Sequence, residues 1–260
     1  MPTPPMSMLL PTADEQQWAI AALADLVRRR GAQPLTTHPF VLPEPSFFPD
    51  PWTPDARGVE RVVKRLLGYA GLPEARVHAE VEATPVTHIG GWGGAQTRRH
   101  DGAAGWYMGQ DRGFYLFGVD PSFNQRPESL VAVLAHEATH AWRDTWGLMV
   151  TNRDTEELLT DLTTVYLGFG VLTTNAAWQY RGVSDGLASG WEKSQSGYLD
   201  FRTFAFLLAL VAHVRELSWW GRTRLGWRLS PNQRAAFKDS FVRIGRDREE
   251  ILREIGATRG

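Results

Sequence analysis

The sequence predicts an α+β protein that contains more helix than strand. Three observations support this fold class. Several segments repeat apolar residues at the spacing of an amphipathic helix, one segment alternates apolar and polar residues as a strand does, and two short apolar runs flank a turn signal. The chain has 260 residues, of which 43% are hydrophobic. This is enough for a sizeable core, and we expect a single domain.

The N-terminal part, residues 1–75, is predicted to contain two helices joined by a proline-rich strap. Thr12 and Glu15 have the spacing of a capping box, so the first helix should begin there and run to about residue 30. Residues 34–54 are rich in proline and aromatic side chains, which favours an ordered extended strap. Residues 55–69 place their apolar side chains on one helical face and predict the second helix.

The middle part, residues 76–170, should begin with the strands. Residues 76–82 alternate in polarity and predict a strand. Residues 88–105 are rich in glycine and predict a loop. The apolar runs at 106–109 and 114–119 flank a short turn that ends in glycine, which predicts a β-hairpin.

Three more helices are predicted after this hairpin. Pro127 suits the first turn of a helix that continues to about residue 146. An acidic first turn predicts another helix over residues 154–168. In the C-terminal part, residues 171–260, we expect an irregular stretch over 173–190 and an apolar core helix over 201–217.

Composition and charge exclude several classes of site. The formal net charge is −1, so nothing global indicates a nucleic acid or a membrane as a partner. Residues 221–260 are more basic, but charges of both signs alternate there at helical spacing, which favours a solvated helix. The chain has no cysteine, which excludes disulfides and thiolate ligands. We see no signal peptide and no apolar segment of the ~20 residues that a membrane span needs, and we expect a cytoplasmic location.

His136, Glu137 and His140 form the pattern HExxH within the predicted helix 127–146. Histidines at positions i and i+4 lie on one helical face, so both imidazoles can bind one Zn²⁺ ion at about 2.0–2.1 Å. Glu137 projects beside that face and is the predicted catalytic general base. The alternative is a helix in which two histidines are merely packed.

A catalytic zinc site needs a third protein ligand and one open position. The longer pattern HExxHxxGxxH is absent, because Arg143 and Trp146 stand where it has a glycine and a histidine. The next predicted helix carries three carboxylates that could complete the site, namely Glu156, Glu157 and Asp161.

With these residues the sequence resembles the gluzincin group of metallopeptidases, the thermolysin-like clan, over residues 114–170. The resemblance implies a zincin-like fold, Zn²⁺ as cofactor and Glu157 as third metal ligand. It also implies that Asp161 accepts a hydrogen bond from His136, which orients the ring and makes it a better ligand. Glu156 departs from the thermolysin-like pattern, which has an asparagine there. The chain also resembles bacterial proteins that carry HExxH, but this implies no substrate.

The three carboxylates have other interpretations. Glu157 would complete a capping box if Asp154 were the N-cap, and acidic residues in a first helical turn also stabilise the helix dipole. Asp161 and then Glu156 are the alternative third ligands. Glu157, Asp161 and Thr164 share one face of the helix, which points either into a metal site or to solvent.

The predicted function is that of a zinc-dependent metallopeptidase acting on a peptide or protein substrate. The resemblance implies that the strand before the HExxH helix, within residues 114–119, pairs with the substrate. A donor for the oxyanion is also expected. The candidates are Tyr107, Tyr115, Tyr166, Tyr180, His100 and His213. The alternatives are a non-catalytic zinc-stabilised interaction or regulatory protein and a metal-free helical interaction protein, and the oligomeric state stays open.

Overall fold

The computed structural model describes residues 9–82, 104–121, 127–184 and 198–257, with the backbone alone for 127–129 and 178–184. These residues form ten helices and one three-stranded sheet. The predicted α+β class with more helix than strand is therefore confirmed. The predicted glycine-rich loop lies outside the described residues, except for its last two positions.

The N-terminal part begins as predicted. Helix α1 (Ala13–Arg30) starts at a complete capping box, in which the hydroxyl of Thr12 accepts from the amide of Glu15 and the Glu15 carboxylate accepts from the amide of Thr12. A short helix α2 (Gln33–Thr37) replaces the first residues of the expected extended strap. A proline is tolerated in a first helical turn, because the amide it lacks has no helical partner there. Helix α3 (Ala56–Tyr69) follows.

The sheet contains strands β1 (Arg76–Val81), β2 (Gly105–Asp111) and β3 (Phe114–Val119) in the order β1-β3-β2. The hairpin prediction is confirmed, since β2 pairs antiparallel with β3. Its turn residues Arg112 and Gly113 have φ values of 48° and 81°, the left-handed conformation of a tight two-residue turn.

The sheet order overturns the substrate-binding role expected for residues 114–119. β3 is the central strand, because β1 pairs in parallel with its second edge. Its backbone groups are therefore used within the sheet on both sides. Among the described residues the edge strands are β1 and β2. The polarity pattern identifies strands but does not determine which strand lies at an edge.

Four helices form the centre of the molecule. They are α4 (Pro127–Thr145), α5 (Arg153–Tyr166), α6 (Gly170–Ser184) and α7 (Phe201–Val214). Helix α6 corrects the expectation of an irregular stretch at 173–190 for residues 173–184, and residues 185–190 lie outside the described residues. Residues 170–177 are buried on nearly every side, so they lack the polar face that makes a helix recognisable. Helix α7 is the predicted core helix, with residues 203–214 all buried.

Three further helices complete the described chain: α8 (Trp219–Trp227), α9 (Pro231–Arg246) and α10 (Arg248–Ile255). α7 packs against α5, α6 and α9, and α10 packs against α1. No described helix is both long and apolar enough to cross a lipid bilayer. Helix α4 packs against β2 as well as against α3, α5 and α6, and it carries the HExxH residues into the centre of the molecule.

Candidate metal centre

The two histidines of the HExxH pattern converge as their helical spacing predicts. His136 and His140 lie one turn apart on α4, and both are buried. Their rings meet edge to face, with centroids 4.8 Å apart. The two Nε2 atoms are 3.1 Å apart, so both nitrogens point at the same small volume.

Glu157 completes a triangle of ligand atoms. Its Oε2 lies 3.0 Å from Nε2 of His136 and 3.3 Å from Nε2 of His140. Three ligands at the corners of a tetrahedron around Zn²⁺, with bonds of about 2.0–2.1 Å, lie about 3.3 Å from one another. The two imidazoles and one carboxylate therefore fit a zinc ion and leave one corner of the tetrahedron open.

Glu137 lies beside this triangle. Its carboxylate and the ring nitrogens of His136 and His140 have ligand atoms within 4.8 Å of one another, so distance alone would also allow Glu137 as a ligand. However, Oε2 of Glu137 accepts the backbone amide of Tyr107 at 2.7 Å. Oε2 of Glu157, in contrast, is within hydrogen-bond distance of both Nε2 atoms.

Strand β2 touches the site through Tyr107. Besides its amide contact to Glu137, its hydroxyl donates to Oδ2 of Asp144 at 2.7 Å. Glu137 and Asp144 are about two turns apart on α4. Tyr107 therefore holds β2 along α4 and fixes the carboxylate of Glu137 beside the imidazoles.

Asp161 supports His136 as expected. Its Oδ1 lies 2.9 Å from Nδ1 of His136, and its Oδ2 accepts the backbone amide of Leu199 at 2.9 Å. Nδ1 points away from the ligand triangle, so Asp161 does not act as the third ligand. With the proton on Nδ1, the lone pair of Nε2 is left for a metal.

His140 is held differently. Its Nδ1 lies 3.2 Å from the hydroxyl of Thr160, which donates to Oε1 of Glu156 at 3.1 Å. Because that hydroxyl proton is directed to Glu156, the Thr160 oxygen accepts the Nδ1 proton of His140. With the proton on Nδ1 of each ring, the Nε2 lone pairs of both histidines would face the triangle.

Glu156 belongs to a buried ion pair and not to the triangle of His136, His140 and Glu157 atoms. Nε and Nη2 of Arg143 donate to its two carboxylate oxygens at 2.7 and 2.9 Å, and the amide of Val150 donates to it at 2.9 Å. Burial raises the pKa of Glu156, but its bonds to His140 and Arg143 outweigh this and lower the pKa to about 2. The structure therefore places Glu156 in this ion pair and not beside the two Nε2 atoms, where an alternative third ligand would lie.

The capping interpretation of Glu157 is also wrong. The N-cap of α5 is Asn152, whose side chain accepts the amide of Thr155, so Glu157 lies two residues beyond the capping-box position. The face that Glu157 shares with Asp161 and Thr164 points inward, because Asp161 and Thr164 are both buried. The buried carboxylates of this face require partners, which the histidines provide.

The charges of the site favour a cation. Burial lowers the pKa of His136, but hydrogen bonds to Asp161 and Glu157 outweigh burial and leave the pKa raised. Burial raises the pKa of Glu157, but its bonds to the two imidazoles hold it well below its usual range. Burial also leaves the pKa of Glu137 raised. The carboxylates that favour a proton on the imidazoles would equally favour a divalent metal ion.

Four of the six predicted oxyanion donors bond elsewhere. The hydroxyl of Tyr107 binds Asp144, and those of Tyr115 and Tyr166 contact Thr145 and the carbonyl of Gly31. Nε2 of His213 contacts the carbonyl of Phe241, and its ring stacks on that side chain. His100 and the side chain of Tyr180 lie outside the described residues.

Tyr198 is a site residue that the sequence did not reveal. Its ring centroid lies 5.7 Å from that of His136. Burial, followed by the charges of Glu157, Glu137 and Asp161, raises the pKa of Tyr198, so its phenol keeps the proton. Tyr198 precedes α7 and carries no sequence signal, because only the packing of α7 against α5 brings it to the metal ligands.

The comparisons with known proteins identify no relative. No family model, no curated protein and no solved structure matches this chain. Any functional conclusion therefore rests on the chemistry of the residues described above.

Proposed function

We propose that this protein is a zinc-dependent metallopeptidase of zincin-like architecture. The observation that carries the proposal is the triangle formed by Nε2 of His136, Nε2 of His140 and Oε2 of Glu157, with edges of 3.0, 3.1 and 3.3 Å. Two imidazoles, one carboxylate and an open position are typical of catalytic zinc sites. In this assignment His136, His140 and Glu157 are the metal ligands, and Asp161 orients His136.

Glu137 is the proposed general base. A Zn²⁺ ion in the triangle would act as a Lewis acid on the substrate carbonyl and on the attacking water. Glu137 takes a proton from that water and then delivers it to the leaving amine. The Tyr107 amide holds one carboxylate oxygen of Glu137, so the carboxylate keeps its position during both transfers.

Strand β2 is the proposed place for an extended substrate. It is an edge strand among the described residues, and it touches the catalytic carboxylate through Tyr107. Extended peptides bind edge strands by backbone hydrogen bonds. This role belongs to β2 because both edges of β3 are already paired.

The first experiment is the metal content of the purified protein, without added zinc. We expect about one zinc per chain, as in mononuclear zinc hydrolases. His136→Ala and His140→Ala should lose the metal, whereas Glu137→Gln should keep it and lose roughly 10²–10⁴-fold of turnover on a peptide library. His78→Ala, which alters an exposed histidine in β1, is the matched control.

Two outcomes would contradict this proposal. Absence of metal, together with no stabilisation by added zinc, would leave a metal-free helical interaction protein. Bound zinc without any affinity for a hydroxamate would indicate a closed, non-catalytic site.

Tyr198 is the proposed oxyanion donor. Its protonated phenol lies next to His136, and a donor in this position can stabilise the charge that develops on the substrate oxygen. Tyr198→Phe should lower kcat by roughly 10²–10³-fold with little change in zinc content. An unchanged kcat would show that the phenol only packs against His136, and Tyr115→Phe is a control at a hydroxyl bonded to Thr145.

A further inference from the structure

Helix α8 exposes three tryptophans. Trp219, Trp220 and Trp227 are 59%, 72% and 64% exposed, more than any other large hydrophobic side chain of the described residues. Tryptophan side chains are on average well buried, because their large apolar surface is costly to hydrate. Three such residues on one short helix therefore indicate a surface that meets something other than water.

The three indoles share one side of α8. With about 100° per residue, Trp219, Trp220 and Trp227 fall within an arc of about 100°. Leu225 points to the opposite side and is buried in the protein. A groove of about 590 Å³ runs along the outer face. Its lining residues are Trp220, Thr223, Arg224, Trp227 and Arg228.

The charged residues of the segment that contains α8 have one sign. Residues 217–238 contain five basic residues and no aspartate or glutamate, although the whole chain has a net charge of −1. Arg228 is paired with Glu44. Arg224 lies in the groove between Trp220 and Trp227, is exposed, and forms no ion pair within the described residues. The groove therefore offers one available guanidinium between two indoles.

These features fit the headgroup region of a lipid bilayer. Indole rings favour the boundary between water and hydrocarbon, because they are apolar but keep one N–H donor. A guanidinium binds phosphate through two parallel hydrogen bonds. An outward face of tryptophans with an arginine between them thus matches anionic phospholipid in both polarity and charge.

Two other partners fit less well. A second copy of the chain would place the same face against itself, and the arginines of the two copies would then meet. Nucleic-acid affinity depends on many phosphate contacts, whereas this face has three indoles and a single available arginine. The edge-to-face contact of Trp219 and Trp220, with centroids 4.5 Å apart, also leaves less ring surface for base stacking.

We propose that the outer face of α8 docks the protein reversibly on membranes that contain anionic phospholipid. The indoles enter the headgroup layer, and Arg224 contacts a lipid phosphate. This inference replaces the expectation of no membrane partner, which rested on the net charge of the whole chain. It goes beyond the proposed peptidase activity and does not depend on it.

The test is flotation of the full chain with lipid vesicles. Vesicles of phosphatidylcholine with phosphatidylglycerol should bind the protein and shift its tryptophan fluorescence to shorter wavelength, whereas phosphatidylcholine alone should bind it weakly. The double variant Trp220→Ala, Trp227→Ala should abolish flotation. Arg224→Gln should weaken binding about five-fold, the effect expected for one basic residue near an anionic surface. The matched controls are Trp146→Ala and Arg112→Gln, at exposed positions outside α8.

Circular dichroism will show whether each variant is folded. If the double variant is unfolded, the lipid binding of Arg224→Gln alone tests the proposal. The proposal is overturned if neither vesicle binds, or if the controls weaken binding as much as the α8 variants. It is equally overturned if the α8 variants leave lipid binding intact but abolish self-association or the binding of a single-stranded oligonucleotide.

Discussion

The two histidines of the site lie one turn apart on the same helix, but the protein holds their rings in different ways. His136 contacts a carboxylate directly, with Asp161 at 2.9 Å from Nδ1. Nδ1 of His140 contacts the neutral hydroxyl of Thr160 at 3.2 Å, and the Glu156 carboxylate lies farther from that nitrogen, at 3.7 Å. The negative charge of Glu156 is in turn paired with Arg143.

The difference shows two ways in which a neighbouring residue can support a histidine that is a candidate metal ligand. A carboxylate on Nδ1 orients the ring and also makes the imidazole more basic. A hydroxyl orients the ring but contributes no charge. If the site holds zinc as proposed, Asp161 strengthens its binding, whereas the buried group of Thr160, Glu156 and Arg143 mainly keeps α4 and α5 in register.

The largest expected effect concerns Arg143. Its guanidinium also donates to Thr163 and to the carbonyl of Leu148, and Arg143→Met would leave Glu156 buried without a counter-ion. The free energy of unfolding should fall by about 3–5 kcal/mol, measured by urea denaturation. The double variant Arg143→Met, Glu156→Gln should recover most of this loss. An unchanged unfolding midpoint for the single variant would show that the ion pair does not stabilise the fold.

Asp161→Asn should have the next largest effect. The amide has the shape of the carboxylate but lacks its charge, so the zinc affinity should fall by roughly 10–100-fold. Competition with a chromophoric chelator measures this change. An exposed counterpart, Asp154→Asn on the same helix, should leave the affinity unchanged. Equal affinities of Asp161→Asn and the unmodified protein would show that the charge on Nδ1 of His136 is unimportant.

Thr160→Val should have the smallest effect. The substitution keeps the shape of the side chain and removes one hydrogen bond to His140, which corresponds to a roughly 2–10-fold loss of zinc affinity. The same chelator competition applies, with Thr155→Val at an exposed position of α5 as control. A loss of zinc affinity as large as that of Asp161→Asn would contradict the conclusion that the two histidines are supported in different ways.

The parts of the structure that the sequence predicted are local. The capping box at Thr12, the β2–β3 hairpin and the helix that carries His136 and His140 all depend on residues within a few positions of one another. The resemblance also implies that Asp161 bonds to His136, and the structure shows the two side chains in contact at 2.9 Å. Each of these features follows from a fixed spacing along one or two elements.

The errors concern residues whose partners are distant in the chain. The sequence does not predict helix α6, because its residues are buried on nearly every side. Residues 114–119 do not form the expected edge strand, because β1 pairs with β3. Glu156 and Glu157 are neighbours in the sequence, but the Glu156 carboxylate forms an ion pair with Arg143 and does not join the two Nε2 atoms. In α8, likewise, the structure leaves three indoles exposed, although tryptophan is usually well buried.

The sequence by itself determined the chemistry that the site can perform: two imidazoles one helical turn apart, a carboxylate between them and no thiolate anywhere in the chain. Only the tertiary structure decided which carboxylates contact the histidine rings and that the Tyr198 ring packs against His136. The physical reason is that helical spacing fixes positions on one element, whereas contacts between elements depend on the packing of the whole core.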